Sequence, residues 1–251
     1  MTPFLNLTRL PRLLYTLYAS LVFLALGLAA LLLVLVVPGL ERRRKTAKAM
    51  AALYLRLAGM PVTLEGLRNL PAGQCVVVSN HASYLDGPAF TAALPARFGF
   101  VIKREMAGVP LAGLLLHRLG SEFVERVREG RTADARRVMR RAEGGHSLVF
   151  FPEGTFGPEP GLLRFHPGAF ITAARAGCPV VPAVIHGTRR ALPPEGGLPR
   201  PQRLRIQLLP PIQPASAAEA GRLQAQARAA ILAALGEPDL ADPCVMLRAH
   251  D

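Results

Sequence analysis

Val76-Val77-Val78-Ser79-Asn80-His81-Ala82-Ser83-Tyr84-Leu85-Asp86 is the stretch that decides how the chain folds. The valine run predicts a strand over 76–79 that delivers His81 at its end, and the next turn brings Asp86 back towards the imidazole. Working outward, short β-rich runs at 62–65, 99–103, 122–126, 147–151, 180–185 and 204–208 alternate with helical stretches at 84–93, 111–119, 133–142 and 169–176. Such alternation makes an α/β fold, a mostly parallel mixed sheet sandwiched by helices. Ser216 and Glu219 have the spacing of a capping box for a last helix, which Gly236 and Pro238 end. No linker interrupts residues 46–251, which are therefore expected to form one domain.

Ahead of that domain, residues 13–37 carry no charge, and 17–37 are rich in Leu, Ala and Val. The stretch is long enough to cross a bilayer as a helix. Pro38-Gly39 closes it, and Arg42, Arg43, Arg44, Lys45 and Lys48 follow, opposed by Glu41; Arg9 and Arg12 precede it. The heavier positive flank is the one held in the cytoplasm, so everything after residue 40 is expected on the cytoplasmic side of a membrane, the inner membrane in a bacterium. Residues 1–45 thus read as a membrane anchor with a basic flank. A hairpin half-inserted in one leaflet is the competing arrangement, because Arg9, Arg12, Tyr15 and Tyr18 suit an interfacial segment. A signal peptide fits less well, since its apolar region is shorter and no dense basic cluster follows it. A helix over 45–58 leads off the membrane and stops at Gly59 and Pro61.

The 251 residues include 30 Lys and Arg against 17 Asp and Glu, a formal net charge of +13. An excess of this size attracts anionic lipid head groups or phosphorylated substrates. Nucleic acid is not expected, because the aromatic residues on which single strands stack are sparse and the basic chain carries a hydrophobic N-terminus. Cys75, Cys178 and Cys244 lie far apart with no C-x-x-C, which excludes a disulfide framework or a cysteine-rich zinc site. Glycine and proline are frequent but follow no period, which excludes collagenous and solenoid architectures.

The chemistry concentrates in two places. A carboxylate on one imidazole nitrogen fixes the tautomer and stabilises the cation formed when the other nitrogen takes a proton. His81 and Asp86 so paired make a base for activating a hydroxyl. Downstream, Leu148-Val149-Phe150 leads into Phe151-Pro152-Glu153-Gly154-Thr155, where a turn at a strand end presents backbone N–H groups, a hydroxyl and a carboxylate at one rim. No Gly-x-Ser-x-Gly elbow is present, so an acyl-serine intermediate is not expected.

Asn-His-x-Ser-x-x-Asp followed by Phe-Pro-Glu-Gly-Thr resembles the glycerolipid acyltransferase family, whose best-known members acylate 1-acyl-sn-glycerol-3-phosphate. Lys103-Arg104-Glu105 with Pro110, Gly113, Gly120 and Arg126 resembles that family's second block. Val180-Val181-Pro182-Ala183-Val184 with Gly187-Thr188 resembles its fourth. The resemblance runs from about residue 60 to 190. It implies that His81 is the general base and Asp86 its orienting partner, with Asn80 and Ser83 shaping their turn. It implies that Glu153, Gly154 and Thr155 form the acceptor-side wall. Lys103 and Arg126 would supply positive charge for a phosphate of the acceptor or of the donor's pantetheine arm, and Pro182 would lie near the acyl chain. The expected donor is acyl-CoA or acyl-carrier protein, the expected partners are membrane lipids, and neither metal nor cofactor is called for, because a thioester is already activated.

One residue departs from the pattern. Where many family members have an arginine directly after Glu-Gly-Thr, this chain has Phe156. Arginine grips phosphate through two parallel N–H bonds, which phenylalanine cannot offer. Lysophosphatidate remains the first expectation for the acceptor, with another lysolipid such as a lyso-aminolipid as the alternative and a non-catalytic lipid-binding protein of the same fold as the rival from outside enzymology. Arg164 and Arg126 are the nearby cations that could replace the missing guanidinium. Arg136, Arg137, Arg140 and Arg141, paired at i,i+4, are expected to form a solvated helix face, or else a contact for anionic lipid or an acidic carrier. Leu111, Leu114, Leu115 and Leu119 are expected in the core, or else in an acyl tunnel or membrane contact.

Overall fold

The computed structural model describes residues 10–125, 131–194 and 196–241. Seven strands form one sheet: β1 (Val62–Glu65), β2 (Val76–Ser79), β3 (Phe98–Lys103), β4 (Glu122–Val124), β5 (Ser147–Phe150), β6 (Val180–His186) and β7 (Leu204–Leu208), in the order β1-β7-β6-β2-β5-β3-β4. Every neighbouring pair is parallel except β6 and β7, so the sheet is mixed but mostly parallel, as the strand–helix alternation predicts. The expected strands at 122–126 and 147–151 are shorter than predicted, ending at Val124 and Phe150.

The eight helices among the described residues are α1 (Leu10–Val36), α2 (Leu40–Leu57), α3 (Asp86–Ala93), α4 (Ala112–Arg118), α5 (Arg131–Glu143), α6 (Gly168–Arg175), α7 (Thr188–Ala191) and α8 (Ala220–Leu235). The alternating side-chain directions of β2 show why both sheet faces are covered. Val77 packs in one core with Tyr54 and Leu55 of α2 and Ala89 and Phe90 of α3. Val76 and Val78 pack in the other with Phe170 of α6 and Leu223, Ala227 and Ile231 of α8. All four β2 residues are buried, and full burial of each valine contributes roughly 1.5–3 kcal/mol. Because β6, β2 and β5 lie side by side and run the same way, their carboxyl ends open on one edge, the usual place for a site in such a sheet.

The apolar N-terminal helix does not stand clear of the domain. Gly39, at φ 79, lets the chain reverse between α1 and α2. The Tyr15 hydroxyl then donates to the Ala58 carbonyl at 2.7 Å and the Tyr18 hydroxyl to Leu57 at 3.1 Å, while Phe23 meets Tyr54 edge to face. The domain division expected at residue 45 falls inside α2.

The basic flank is partly spent on structure. Arg44 is buried; its Nε donates to Leu119 O at 3.0 Å, just past α4, and its Nη1 to Arg97 O at 2.8 Å, just ahead of β3, so it caps one helix end and ties it to the sheet. Burial, and Arg141 close by, press the guanidinium down to about 10, which leaves it charged at neutral pH. Lys48 Nζ likewise donates to Ala93 O and Leu94 O at the end of α3, at 2.9 and 2.7 Å, and Arg43 Nε to Val37 O at 2.9 Å.

The arginine face of α5 is also partly consumed. Both Glu122 oxygens are taken, by Arg137 Nε and Arg141 Nε at 2.9 Å each, and Asp134 pairs with Arg104 and Arg137. Two other expectations change. Ser216 makes no side-chain cap; Glu219 alone works, accepting from the Ala215 N–H at 2.8 Å, and α8 begins after a short 3-10 turn. Leu111 and Leu114 lie outside the core, 62% and 46% exposed. Leu111 has φ 62 and ψ −49, and the Ala112 N–H reaches back to Pro110 O at 2.6 Å, a γ-turn of the positive-φ kind that costs about 1–3 kcal/mol.

Candidate active site

The turn after β2 is built as its sequence suggests. His81 Nδ1 lies 2.7 Å from Asp86 Oδ2. The same oxygen accepts the backbone N–H groups of Ala82 at 2.7 Å and Ser83 at 3.0 Å. Asp86, the first residue of α3, is fully buried, so its position is set by backbone rather than by solvent. Asp86 Oδ1 is buried with no partner among the described residues, and the carboxylate is therefore answered at Oδ2. With Nδ1 donating to the carboxylate, the lone pair sits on Nε2 and His81 lines an open cleft of about 350 Å³.

Asn80 and Ser83 hold the turn. Where β2 stops, the Asn80 side chain continues its ladder to β6: Nδ2 donates to Ile185 O at 3.0 Å, and Oδ1 accepts the Ile185 N–H at 2.8 Å. Ser83 Oγ donates to Leu192 O at 2.8 Å, just past α7, and accepts the Leu85 N–H at 3.2 Å.

Glu153 is nearer to a brace than to a wall. It is 3% exposed, and its Oε1 accepts the His81 backbone N–H at 2.6 Å while Oε2 accepts the Leu163 N–H at 2.7 Å. Burial outweighs both donors and pushes the carboxyl up to about 7. Gly154 turns the chain at φ 76, where a Cβ would be strained, and Thr155 is exposed on the cleft lining. A pH dependence follows. The fold favours the uncharged acid, so the stability it contributes is full below about 4.5 and is lost as pH rises through about 7. The loss amounts to about 3 kcal/mol. Thermal midpoints of the wild type are expected to fall across that window, and those of a Glu153→Gln variant, which cannot ionise, to show a shallower slope. Parallel slopes would remove Glu153 as the titrating group.

Other expected residues are not brought to the cleft. Lys103 ends β3 two strands from β2, is about half exposed and pairs with Glu105 at 2.8 Å; it does not line the cleft. Pro182 is buried within β6, in register with Val78, and is part of the sheet interior rather than the cleft wall. Arg126 lies outside the described residues, and Arg164 is exposed and not among the lining.

Of the expected residues His81, Glu153 and Thr155 do line the cleft, and aromatic rings pack around the imidazole there. Phe151 stacks on the His81 imidazole with centroids 4.5 Å apart, and Phe156 meets its edge at 4.4 Å. Phe156 in turn contacts the exposed Tyr84 at 4.9 Å. Among the described residues the lining cation is Arg189, in α7 directly after the Gly187-Thr188 turn; its Nη1 donates to Gly157 O at 2.5 Å and its Nη2 lies 3.6 Å from Glu237. The signal for Arg189 was present in the fourth block, one residue past the point where that block was read.

The acyltransferase family model matches residues 61–186 of the 251. A chloroplastic 1-acyl-sn-glycerol-3-phosphate acyltransferase of Brassica napus is 34% identical over 157 residues, covering 60% of this chain and 45% of its own. The chain thus spans less than half the length of that relative. The lyso-ornithine lipid O-acyltransferase of Pseudomonas aeruginosa is 31% identical over 237 residues, 86% of this chain and 90% of that protein. The crystal structure of the 1-acyl-sn-glycerophosphate acyltransferase of Thermotoga maritima superposes with a TM-score of 0.72 over 92% of this chain and 96% of that one, at 22% identity, a likeness of fold. A family model over half the chain and a relative matched over nine-tenths of its length place the protein: it belongs to the acyltransferase family.

Proposed function

We propose that this chain moves an acyl group from an acyl thioester, acyl-CoA or acyl-carrier protein, to the hydroxyl of a lysolipid at a membrane surface. The observation that carries the reading is the His81–Asp86 contact at 2.7 Å beside an open cleft. His81 Nε2 takes the hydroxyl proton as the oxygen attacks the thioester carbonyl, and Asp86 offsets the imidazolium charge. The tetrahedral intermediate then breaks its C–S bond, and the imidazolium returns the proton to the departing thiolate. The Phe151 and Phe156 rings hold the imidazole plane. Asn80 and Ser83 position the turn, Glu153 and Gly154 brace it, and Thr155 lies on the acceptor side.

A specific observation bears on the acceptor. Relatives are named for 1-acyl-sn-glycerol-3-phosphate and for lyso-ornithine lipid. Among the described lining residues the charged groups are Arg189, Glu153 and Glu159, and the guanidinium is already engaged by Gly157 and Glu237. A phosphate dianion would find little uncompensated positive charge there, whereas an ammonium group suits Glu159 and the Tyr84–Phe156 aromatic pair. This favours an ammonium-bearing lysolipid over lysophosphatidate. An acceptor panel with one labelled thioester tests it. The wild type is expected to prefer lyso-ornithine lipid. Phe156→Arg is expected to shift the ratio of kcat/KM towards lysophosphatidate by about tenfold, the worth of one charge-assisted contact. Preference for lysophosphatidate by the wild type would reverse the assignment.

The membrane attachment favoured by the packing is half-insertion. Both ends of α1 are tied to the domain, through Tyr15 and Tyr18 at one end and through Arg118 Nη2, which donates to Leu35 O at 2.8 Å, at the other. A spanning helix would have to leave it. Leu13, Leu17, Leu21, Leu24 and Leu28 remain exposed along the outer side, available to acyl chains. A hairpin of this kind keeps the domain on one side, which we take to be the cytoplasm, where acyl thioesters are made.

A further inference from the structure

The segment that follows β3 presents large apolar side chains without cover. Val109 is 41% exposed, Leu111 62% and Leu114 46%. Leu111 is the one non-glycine residue with positive φ among the described residues. Its strained backbone directs the side chain outward, so core packing cannot compensate the strain. A strained, solvent-facing leucine calls for a partner outside the domain.

The position of the segment names that partner. Leu111 immediately precedes α4, on which Leu114 and Arg118 fall at i and i+4 on one face. Arg118 is the residue that binds the Leu35 carbonyl of α1. The stripe therefore starts beside the end of α1, where Leu32, Leu33 and Val36 are 56%, 42% and 77% exposed, and runs to the sheet edge that carries His81. It continues the outer apolar side of α1.

We propose that the 109–114 segment is a second membrane-inserting element, entering the same leaflet as α1. The proposal rests on the membrane attachment inferred above. One helix lying in the interface leaves the domain free to roll about the helix axis. A second point of insertion removes that freedom and holds the cleft at the head-group layer, where a lysolipid hydroxyl resides.

The chain has no tryptophan, so a single introduced one reports alone. Leu111→Trp tests the segment, Leu24→Trp the outer side of α1, and Ala229→Trp the exposed side of α8 across the sheet. The full chain is reconstituted with phosphatidylcholine–phosphatidylglycerol vesicles, with and without brominated acyl chains. Emission of Leu111→Trp and Leu24→Trp is expected to shift to the blue and to be quenched by bromine, and that of Ala229→Trp to do neither. Quenching at Leu24→Trp with water-like, unquenched emission at Leu111→Trp overturns the proposal and leaves the membrane attachment standing. Absence of quenching at both overturns the attachment as well. Equal quenching at all three also overturns it, since contact would then have no preferred face. Val109→Trp, on extended backbone at φ −74, repeats the test if the γ-turn does not accept the larger ring.

Discussion

His81→Ala is expected to lower acyl transfer by about 10³-fold, equivalent to roughly 4 kcal/mol in the barrier, with the fold intact. The imidazole is the one group in the cleft with both a free nitrogen towards the acceptor and a carboxylate partner behind it, Asp86 at 2.7 Å. Its removal leaves the acceptor hydroxyl with no base, while the backbone N–H groups of His81, Ala82 and Ser83 keep their carboxylate acceptors. Thermal unfolding should therefore move little. Asp86→Asn separates the two halves of the proposal. The amide oxygen can still accept the three donors that Oδ2 holds, but the charge that stabilises the imidazolium is gone, so kcat should fall by about 10²-fold with KM nearly unchanged. A His81→Ala enzyme that keeps its turnover within tenfold of wild type would falsify the base assignment.

Asn80→Leu should give the largest loss of stability of any substitution at the site. Leucine has the same branched heavy-atom skeleton as asparagine, so the change is mainly one of hydrogen bonding. It strands the Ile185 N–H and C=O, both buried on a central strand, at about 1–3 kcal/mol each. A total of about 2–6 kcal/mol in a chain of this size lowers the melting temperature by roughly 4–24 °C. Activity should fall with it, because the carboxyl end of β2, which carries His81, loses its tie to β6. Ser83→Ala provides the scale. It removes two bonds, one given to the Leu192 carbonyl and one taken from the Leu85 N–H, and should cost about 1–3 kcal/mol. A Leu variant no less stable than Ser83→Ala would mean that the Asn80 bonds are replaced by water.

Much of the frame is local and was legible without coordinates. The seven strands lie within two residues of the runs that predict them, because short apolar runs of β-branched and aromatic residues between turn residues suit the pleated, covered surface of such a sheet. The His81–Asp86 contact is legible because it is local: five positions separate the two, and the turn leading into α3 closes the gap. The break at Pro38-Gly39 and the stop of α8 at Gly236, φ 68, likewise follow from single residues with narrow conformational choice.

The misses share a cause. Lys103 and Pro182 were assigned by block, but a residue's block says nothing of which strand end it reaches or which face it takes. Phe156 was read as a missing arginine; its position against both His81 and Tyr84 depends on two chain segments more than seventy residues apart meeting at one rim. Arg44 reads from sequence as one of the basic flank that sets orientation, and nothing near it in the chain reveals that the Leu119 and Arg97 carbonyls await its guanidinium.

Residue order by itself determined the α/β alternation, the apolar first helix and the imidazole–carboxylate pair, since each is settled by interactions within a few residues. Only the folded chain decided that α1 lies back along α2, that Glu153 is buried and braces the His81 backbone, and that Arg189 reaches the cleft lining. Those outcomes turn on contacts between segments far apart along the chain. Such contacts form only when the competing burial of all the side chains has been resolved at once, and no local pattern records the result.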